Sequence, residues 1–328
     1  MMPVSVSILI PAHNAARWLA ATLESALAQT CPLKEIIVIE NGSSDNTAEI
    51  ARRYADQGVR LFSIPTSTAA HARNRAFDES HGEFIQYLDA DDLLSPGKIE
   101  RQLNQLDAAN PILSLSARAE FFDGEAATLA PLQTGWPFIA STDPKAWLAE
   151  LLGAGGRGGF VALHQWLTPR SLIEQAGPWN ETLTVNDDGE FFSRVLLNAR
   201  EIRTALSEVA YYRRHQCGKN LSGSYRQEGR HLESMLHATE LISSHLLAIT
   251  HDPRLPVALS RHFYECAYFC HPARAAASRR AEARALQLDP TARPPAPTSG
   301  KAALVRRLFG WRTERRLAHG LALLRRYQ

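Results

Sequence analysis

The first hundred residues alternate short apolar runs with longer segments in which apolar residues recur every three or four positions. Apolar runs that end at turn residues are typical of buried parallel strands, and the longer segments are typical of helices packed on them. The predicted strands are Val4–Ile10, Glu35–Ile39, Val59–Ile64 and Phe84–Leu88. The predicted helices are Asn14–Gln29 with Asn14 as its cap, Ala69–Ser80, and Pro96–Leu106.

Strands that alternate with helices in this way predict βαβ units and a mostly parallel sheet flanked by helices, a Rossmann-like α/β fold. Ligands of such sheets bind beyond the carboxyl ends of the strands. The polar loops Pro11–Asn14, Glu40–Ser44 and Asp89–Asp92 each follow a predicted strand. We therefore expect these three loops to converge at one edge of the sheet.

The middle of the chain, about residues 112–212, is less regular and contains the glycine-rich segment 153–159. This segment lacks the preceding strand and following helix of a dinucleotide or phosphate-binding loop. It is interpreted either as a mobile loop over a site or as a surface linker.

The last hundred residues have a helical pattern and form a C-terminal helical appendage. The predicted helices are His231–Leu247, Pro256–Cys270 and Ala273–Leu288. The predicted domains are an α/β domain at 1–225, a helical region at 226–289, a proline-rich linker at 290–300 and a basic amphipathic tail at 301–328. The tail suits a helix on an anionic membrane surface, or a packed terminal helix with a solvated basic face.

The composition is that of an ordinary globular protein, with 45% hydrophobic and 21% charged residues among 328. The net charge of +2 argues against a nucleic-acid partner. No secretory leader and no bilayer-spanning run are evident, and the scattered cysteines Cys31, Cys217, Cys266 and Cys270 indicate a reducing cytoplasm. His262, Cys266 and Cys270 share a helix face, as a metal patch or as small buried side chains.

The most informative motif is the acidic cluster Asp89-Ala90-Asp91-Asp92, directly after a predicted buried strand. In an extended segment Asp89 and Asp91 point the same way, and two such carboxylates repel unless a cation or protons neutralise them. Mg²⁺ or Mn²⁺ would use these oxygens and substrate phosphates as ligands. The alternative is structural, with Asp92 as the cap of the next helix and Asp89 as a turn former.

A second acidic block, Asn186-Asp187-Asp188-Gly189-Glu190, immediately precedes a predicted helix. A carboxylate at a helix N-terminus stays ionised and can act as a base. The alternative is a capping cluster without a chemical role.

Together these blocks resemble glycosyltransferase family 2 on the GT-A fold, over roughly 4–222. The matching segments are Val6–Asn14, Glu35–Thr47 (the family's "DDGSxDxT" segment), Ala72–Ala76 ("ARNxG"), Leu88–Asp92 (the DxD motif), Asn186–Asp188 (the "ED" pair) and Arg213–His215. His13 replaces the family's usual tyrosine and Glu40-Asn41 its acidic pair, which leaves the identity of the nucleotide open.

The resemblance implies an inverting, bacterial-type glycosyltransferase that moves a sugar from a nucleotide-sugar donor to a saccharide or lipid-linked glycan. It implies Asp188 as the general base with Asp187 beside it, and Mn²⁺ or Mg²⁺ held by Asp91, Asp89 and His215. The implied donor-binding residues are Pro11, Ala12, Asn14, Glu40, Asn41, Arg73, Asp89 and Ala90.

Two other functions fit the same motifs: transfer to polyprenyl phosphate, and non-catalytic binding of a sugar nucleotide. The presence of Asp188 together with Asp91 favours an enzyme, because binding alone needs no base. We expect a cytoplasmic protein, peripheral on the inner face of the cell membrane through residues 301–328.

Overall fold

The computed structural model describes residues 5–31, 33–215, 229–297 and 299–324. The chain divides into two compact units. The first unit consists of Met1–Leu148, Gly159–Thr182 and Asp187–Asn220, and the second of Ala149–Gly158, Leu183–Asn186 and Leu221–Gln328.

A nine-stranded sheet runs through the described part of the first unit. Its strands are β1 (Ser5–Ala12), β2 (Leu33–Asn41), β3 (Val59–Ile64), β4 (Phe84–Tyr87), β5 (Leu93–Leu94), β6 (Ile112–Phe122), β7 (Leu132–Gln133), β8 (Trp166–Pro169) and β9 (Glu201–Arg214). The spatial order is β3-β2-β1-β4-β8-β6-β9-β5, with β7 paired to β6. The first four strands in this order are parallel, as are β6 and β9, whereas β5, β7 and β8 pair antiparallel. The predicted mostly parallel sheet is therefore confirmed, with a mixed second half.

Helices connect these strands. They are α1 (Leu19–Leu27), α2 (Thr47–Arg52), α3 (Ala69–Asp78), α4 (Lys98–Leu103), α5 (Pro144–Leu151), α6 (Arg170–Ala176) and α7 (Asp187–Asn198). The prediction that Asn14 caps the first helix is wrong. Asn14 has a left-handed backbone with φ of 49°, and its Oδ1 accepts a hydrogen bond from Ser44 N at 2.9 Å. Caps have extended backbones, so Asn14 joins two loops instead.

The central strands are buried because α1 packs on them. Ile8 and Ile10 of β1, Val38 of β2, and Leu19 and Leu23 of α1 belong to one core cluster and are fully buried. Burying each such side chain contributes about 1.5–3 kcal/mol. The ends of β1 and β2 are thereby held firmly in place beneath their loops.

Helices make up most of the described residues of the second unit, which confirms the predicted C-terminal helical appendage. Its helices are α8 (Gly229–Ile249), α9 (Leu255–Cys270), α10 (Ala275–Leu288) and α11 (Gly300–Leu324). Ala277, Ala281 and Ala285, four residues apart on α10, are buried in one cluster with Phe263 and Ala267 of α9. Side chains this small let the two helix backbones approach closely.

The cysteines of α9 behave as small buried side chains rather than as a metal patch. Cys266 Sγ lies 3.6 Å from Thr239 Oγ1, and His262 Nε2 lies 2.9 Å from Leu152 O. Burial raises the pKa of the Cys266 thiol to about 12, which disfavours the thiolate that a metal would need. Cys217 lies outside the described residues.

None of the helices in the described ranges combines the length and the apolar character needed to cross a bilayer.

Candidate functional site

The loops that follow β1 and β2 meet at one edge of the sheet. The two strands are parallel and in register up to Ala12 and Glu40, so their carboxyl ends coincide. His13 Nδ1 lies 2.7 Å from Asn41 O, and Asn14 N donates to Ser43 Oγ at 3.0 Å. β4 lies on the other side of β1 and places the DxD loop at the same edge.

The side chains of Glu40 and Asn41 order these loops. Glu40 Oε1 accepts a hydrogen bond from Ser43 N at 2.5 Å. Asn41 Oδ1 accepts from Ser67 N at 2.8 Å, and Asn41 Nδ2 donates to Ser67 O at 3.0 Å. Asn41 therefore fixes the loop after β3, and its contact with a nucleotide base stays a prediction, as do those of Pro11, Ala12 and Ala90.

Arg73 of α3 connects the two acidic motifs. Its side chain is only 6% exposed, and it donates from Nη1 to Asp187 Oδ2 at 2.7 Å and from Nη2 to Asp89 Oδ1 at 2.9 Å. The guanidinium also lies 4.6 Å from the ring centre of Trp179. Burial alone would lower the pKa of Arg73, but the charges of Asp187 and Asp89 outweigh it and raise this pKa above the ordinary value. We call Arg73, Asp89, Asp91, Asp187 and Asp188 the acidic site.

Asp188, the predicted general base, has a raised pKa. It lies in the first turn of α7, where its Oδ1 accepts a hydrogen bond from Gly189 N at 2.9 Å. Burial and then the charge of Asp187 raise the pKa of Asp188 to about 6, against the opposing charge of Arg73. Such a carboxylate is ionised at neutral pH and is a stronger base than an ordinary aspartate.

The loop before α7 is held by α3. Asn74 Oδ1 accepts from Trp179 N at 2.8 Å, and Asn74 Nδ2 donates to Glu181 Oε1 at 2.8 Å. His71 Nδ1 lies 2.8 Å from Glu181 Oε2. The helix that carries Arg73 therefore also positions the segment leading to Asp187 and Asp188.

Asp91 and His215 form the candidate metal centre. Asp91 Oδ2 lies 2.6 Å from His215 Nε2, and the ring of Trp18 packs on the imidazole with 4.4 Å between ring centres. Asp89, also predicted as a ligand, accepts a hydrogen bond at its Oδ1 from Arg73 Nη2 at 2.9 Å. Among the described residues, neither this pair nor any other place brings three His, Cys, Asp or Glu side chains close enough together to hold a metal ion. Two protein ligands fit Mg²⁺ or Mn²⁺, which usually complete their shell with water and phosphate oxygens.

Asp92 is a buried structural residue, so the alternative in which it caps the next helix is wrong. It is 2% exposed, and its Oδ1 accepts from Arg213 N at 2.7 Å. His164 Nδ1 lies 3.0 Å from its Oδ2. The next helix, α4, begins later, at Lys98. Asp92 thus ties the DxD loop to β9, the strand that leads into His215.

Sequence reasoning missed Asp123, which follows β6. Asp123 Oδ1 accepts from Trp18 Nε1 at 3.1 Å, and its Oδ2 lies 2.8 Å from Arg17 Nη2. Trp18 joins Asp123 to His215, because its Nε1 donates to Asp123 and its ring packs on the imidazole. The only hint in the sequence was that Asp123 is a polar residue at the end of a strand. The pattern of residues 112–212 is too irregular to predict which strand β6 pairs with, and therefore that Asp123 lies near Trp18.

Comparison with known sequences identifies the family of the chain. The model of "Glycosyl transferase family 2" matches residues 7–164. The succinoglycan biosynthesis protein ExoU of Rhizobium meliloti is 31% identical over 233 residues, which are 68% of this chain and 66% of that protein. An uncharacterized glycosyltransferase of Rickettsia felis is 30% identical over 58% of this chain and 31% of its own length. The chain thus spans just under two thirds of the first relative and about a third of the second.

Comparison with solved structures identifies the fold. The S. aureus TarS 1–349 structure in complex with UDP-GlcNAc matches with a TM-score of 0.57 at 16% identity, over 87% of this chain and 92% of that one. TarS 1–349 in complex with UDP matches with a TM-score of 0.55, also at 16% identity, over 88% and 91% of the two chains. The predicted GT-A fold is confirmed.

Proposed function

The chain belongs to glycosyl transferase family 2, and we propose that it transfers a sugar from a nucleotide-sugar donor to a saccharide or lipid-linked glycan, with inversion at the anomeric carbon. The observation that carries this proposal is the pair of hydrogen bonds from Arg73 to Asp89 and Asp187. They hold the strand-end acidic motif beside the base at the start of α7, so that donor and acceptor chemistry share one site.

Asp188 is the proposed general base. It takes the proton of an acceptor hydroxyl while that oxygen forms a bond to the anomeric carbon. The bond from this carbon to the diphosphate breaks on the opposite face, and the nucleoside diphosphate leaves with the bonding electrons. A pKa of about 6 suits this role, because the carboxylate is unprotonated at neutral pH and still basic.

Asp91 and His215 are the proposed ligands of Mn²⁺ or Mg²⁺. When bound, the ion would supply positive charge to the departing diphosphate, which is Lewis-acid assistance. Arg73 supplies a further fixed positive charge at the same edge, kept ionised by Asp187 and Asp89.

The donor and acceptor classes are proposed from the relatives. The TarS complexes contain UDP and UDP-GlcNAc, which supports a uridine diphosphate sugar as the first donor to test. ExoU is named for succinoglycan biosynthesis, which supports a role in building a polysaccharide. A growing glycan on a lipid would place the reaction on the cytoplasmic face of the cell membrane.

The test is calorimetry of the purified chain against a panel of nucleotide sugars, with Mn²⁺ and with EDTA, followed by turnover of each donor that binds. We expect binding of a nucleoside diphosphate sugar that weakens at least about tenfold without metal, together with metal-dependent release of nucleoside diphosphate. Tight binding with no turnover on any saccharide or polyprenyl phosphate acceptor would support a non-catalytic binding protein instead. Turnover on polyprenyl phosphate alone would replace the proposed acceptor.

A further inference from the structure

The last helix of the second unit, α11, turns large apolar side chains toward solvent. Thirteen large apolar side chains of the described residues are exposed, and five of them lie on this one helix. They are Leu304 (57% exposed), Leu308 (62%), Phe309 (67%), Leu317 (54%) and Leu321 (60%). Scattered exposed leucines need no explanation, but a concentration of this kind marks an interaction surface.

The rotation of α11 about its axis is fixed by the contacts of its other side. The ring of Trp311 lies 5.5 Å from that of His271 and 6.1 Å from that of Tyr264. Glu314 is 4% exposed and accepts hydrogen bonds from Tyr268 Oη at 2.8 Å and Arg306 Nε at 2.6 Å. Turning the leucines inward would break these buried polar contacts, so their exposure belongs to the packed state of the unit.

The exposed leucines form two pairs, Leu304 with Leu308 and Leu317 with Leu321. Residues four apart on a helix are surface neighbours, so each pair makes one continuous apolar strip. Gly310, with φ of 80°, separates the helical segments that carry the two strips. We call these four residues the leucine strips.

Cations flank the leucine strips. Lys301 and Arg307 lie three residues to either side of Leu304, and Arg316 precedes Leu317; all three are exposed. Within the described ranges, no carboxylate comes within ion-pair distance of these three side chains. The single acid of α11, Glu314, is buried on the packed side, so the charged side chains on the exposed side of the helix are all cations.

We propose that α11 docks on an anionic lipid surface. The leucine strips enter the boundary between head groups and acyl chains, and Lys301, Arg307 and Arg316 contact lipid phosphates. A second copy of this chain is a poorer occupant, because pairing two such helices would bring like charges together. The inference stands apart from sugar transfer, since it concerns only the surface of the second unit.

The experiment is sedimentation of the full-length protein with vesicles of phosphatidylglycerol and phosphatidylcholine, compared with vesicles of phosphatidylcholine alone. We expect pelleting with the anionic vesicles, and at least about tenfold weaker pelleting with the neutral ones. Leu304→Ser with Leu308→Ser should weaken binding by about a hundredfold, and Arg307→Gln by about fivefold. The matched control is Leu129→Ser with Leu132→Ser, whose side chains in the first unit are 84% and 53% exposed and should not contribute.

Absence of pelleting by the wild type with anionic vesicles would overturn the proposal, as would equal losses in the two double variants. A wild-type oligomer in light scattering that the Leu304/Leu308 variant dissociates would assign the surface to a second copy instead. Melting temperatures of all variants confirm folding. If the leucine variant does not fold, Arg307→Gln decides alone: unchanged binding to anionic vesicles overturns the proposal.

Discussion

Two regions of the first unit each bury a basic side chain, and the pKa of that side chain shifts in opposite directions in the two regions. In the acidic site, Arg73 is surrounded by carboxylates, and its pKa is raised so that it stays charged. Behind the sheet edge, Lys98 of α4 is fully buried and donates to the neutral amide oxygen of Gln86. Burial lowers the pKa of Lys98 well below 10.5, because no carboxylate compensates the lost hydration.

The pKa of a neighbour of Lys98 is lowered as well. Burial, together with the charges of Lys98 and Arg118, lowers the pKa of His164 well below its ordinary value. The Gln86 amide donates to His164 O at 2.9 Å and its Oε1 accepts from Lys98, so Gln86 connects the three residues of this polar layer (Gln86, Lys98 and His164). The partners of a buried basic side chain therefore decide in which direction its pKa shifts. The carboxylates keep Arg73 charged at the sheet edge, where we propose that the donor diphosphate binds, and shifted pKa values of this kind often mark functional sites.

The largest expected effect comes from Asp188→Asn. Asparagine has nearly the same shape but cannot accept the acceptor's proton, so we expect turnover to fall about 10³-fold with little change in the KM for the donor. Steady-state kinetics with a donor that binds the wild type measure this. The melting temperature should not fall, because the substitution also removes a carboxylate with a raised pKa. Unchanged turnover would show that another group is the base.

The second effect comes from Arg73→Lys, which keeps a positive charge but cannot bridge Asp89 and Asp187 with two planar donors. We expect kcat/KM for the donor to fall about 10²-fold, because the two acidic motifs lose their common partner. Arg75→Lys is the matched control on the same helix, since Arg75 is 45% exposed and pairs only with Glu79 among the described carboxylates. Equal falls in kcat/KM in the two variants would contradict a specific role for Arg73.

The dependence of activity on pH tests the role of Asp188 in a second way. Because the pKa of Asp188 is raised to about 6 and the base must be unprotonated, activity should fall about tenfold per pH unit below pH 6. Initial rates of diphosphate release measure this fall. The small residual activity of Asp188→Asn should lack the step at pH 6; if it keeps that step, another group titrates.

The smallest expected effect is that of Lys98→Met. Methionine fills the same space without an amine whose charged form burial disfavours, so the free energy of unfolding at neutral pH should rise by about 1 kcal/mol, with kinetics unchanged. In the wild type the unfolded chain binds the proton that folded Lys98 releases, so stability should increase as pH rises toward 10.5. Denaturation at pH 7 and pH 9 should show a smaller increase in the variant. A destabilised Lys98→Met would mean that the hydrogen bond from Lys98 to Gln86 outweighs the cost of burying the amine.

The sequence by itself determined the parallel half of the sheet. Runs rich in apolar residues predict strands, and the structure has β3 with the predicted bounds Val59–Ile64, at the edge of the sheet and mostly half-buried. The helices of the second unit followed from residues with a clear helical period, including Ala277, Ala281 and Ala285. Local pattern suffices in these segments because the spacing of apolar residues identifies the element and the face of it that packs.

The tertiary structure decided which acidic residues act together. Asp91 and Asp92 are adjacent in sequence but have different partners. Asp92 accepts a hydrogen bond from Arg213 in the interior, whereas Asp91 contacts His215 at the site. Asp123, 105 residues from Trp18, is brought to it only by the position of β6 in the sheet. Sequence motifs gave the acidic cluster its candidate chemistry. The roles within it depend on long-range partners, since these set the local charge and dielectric, which no short pattern encodes.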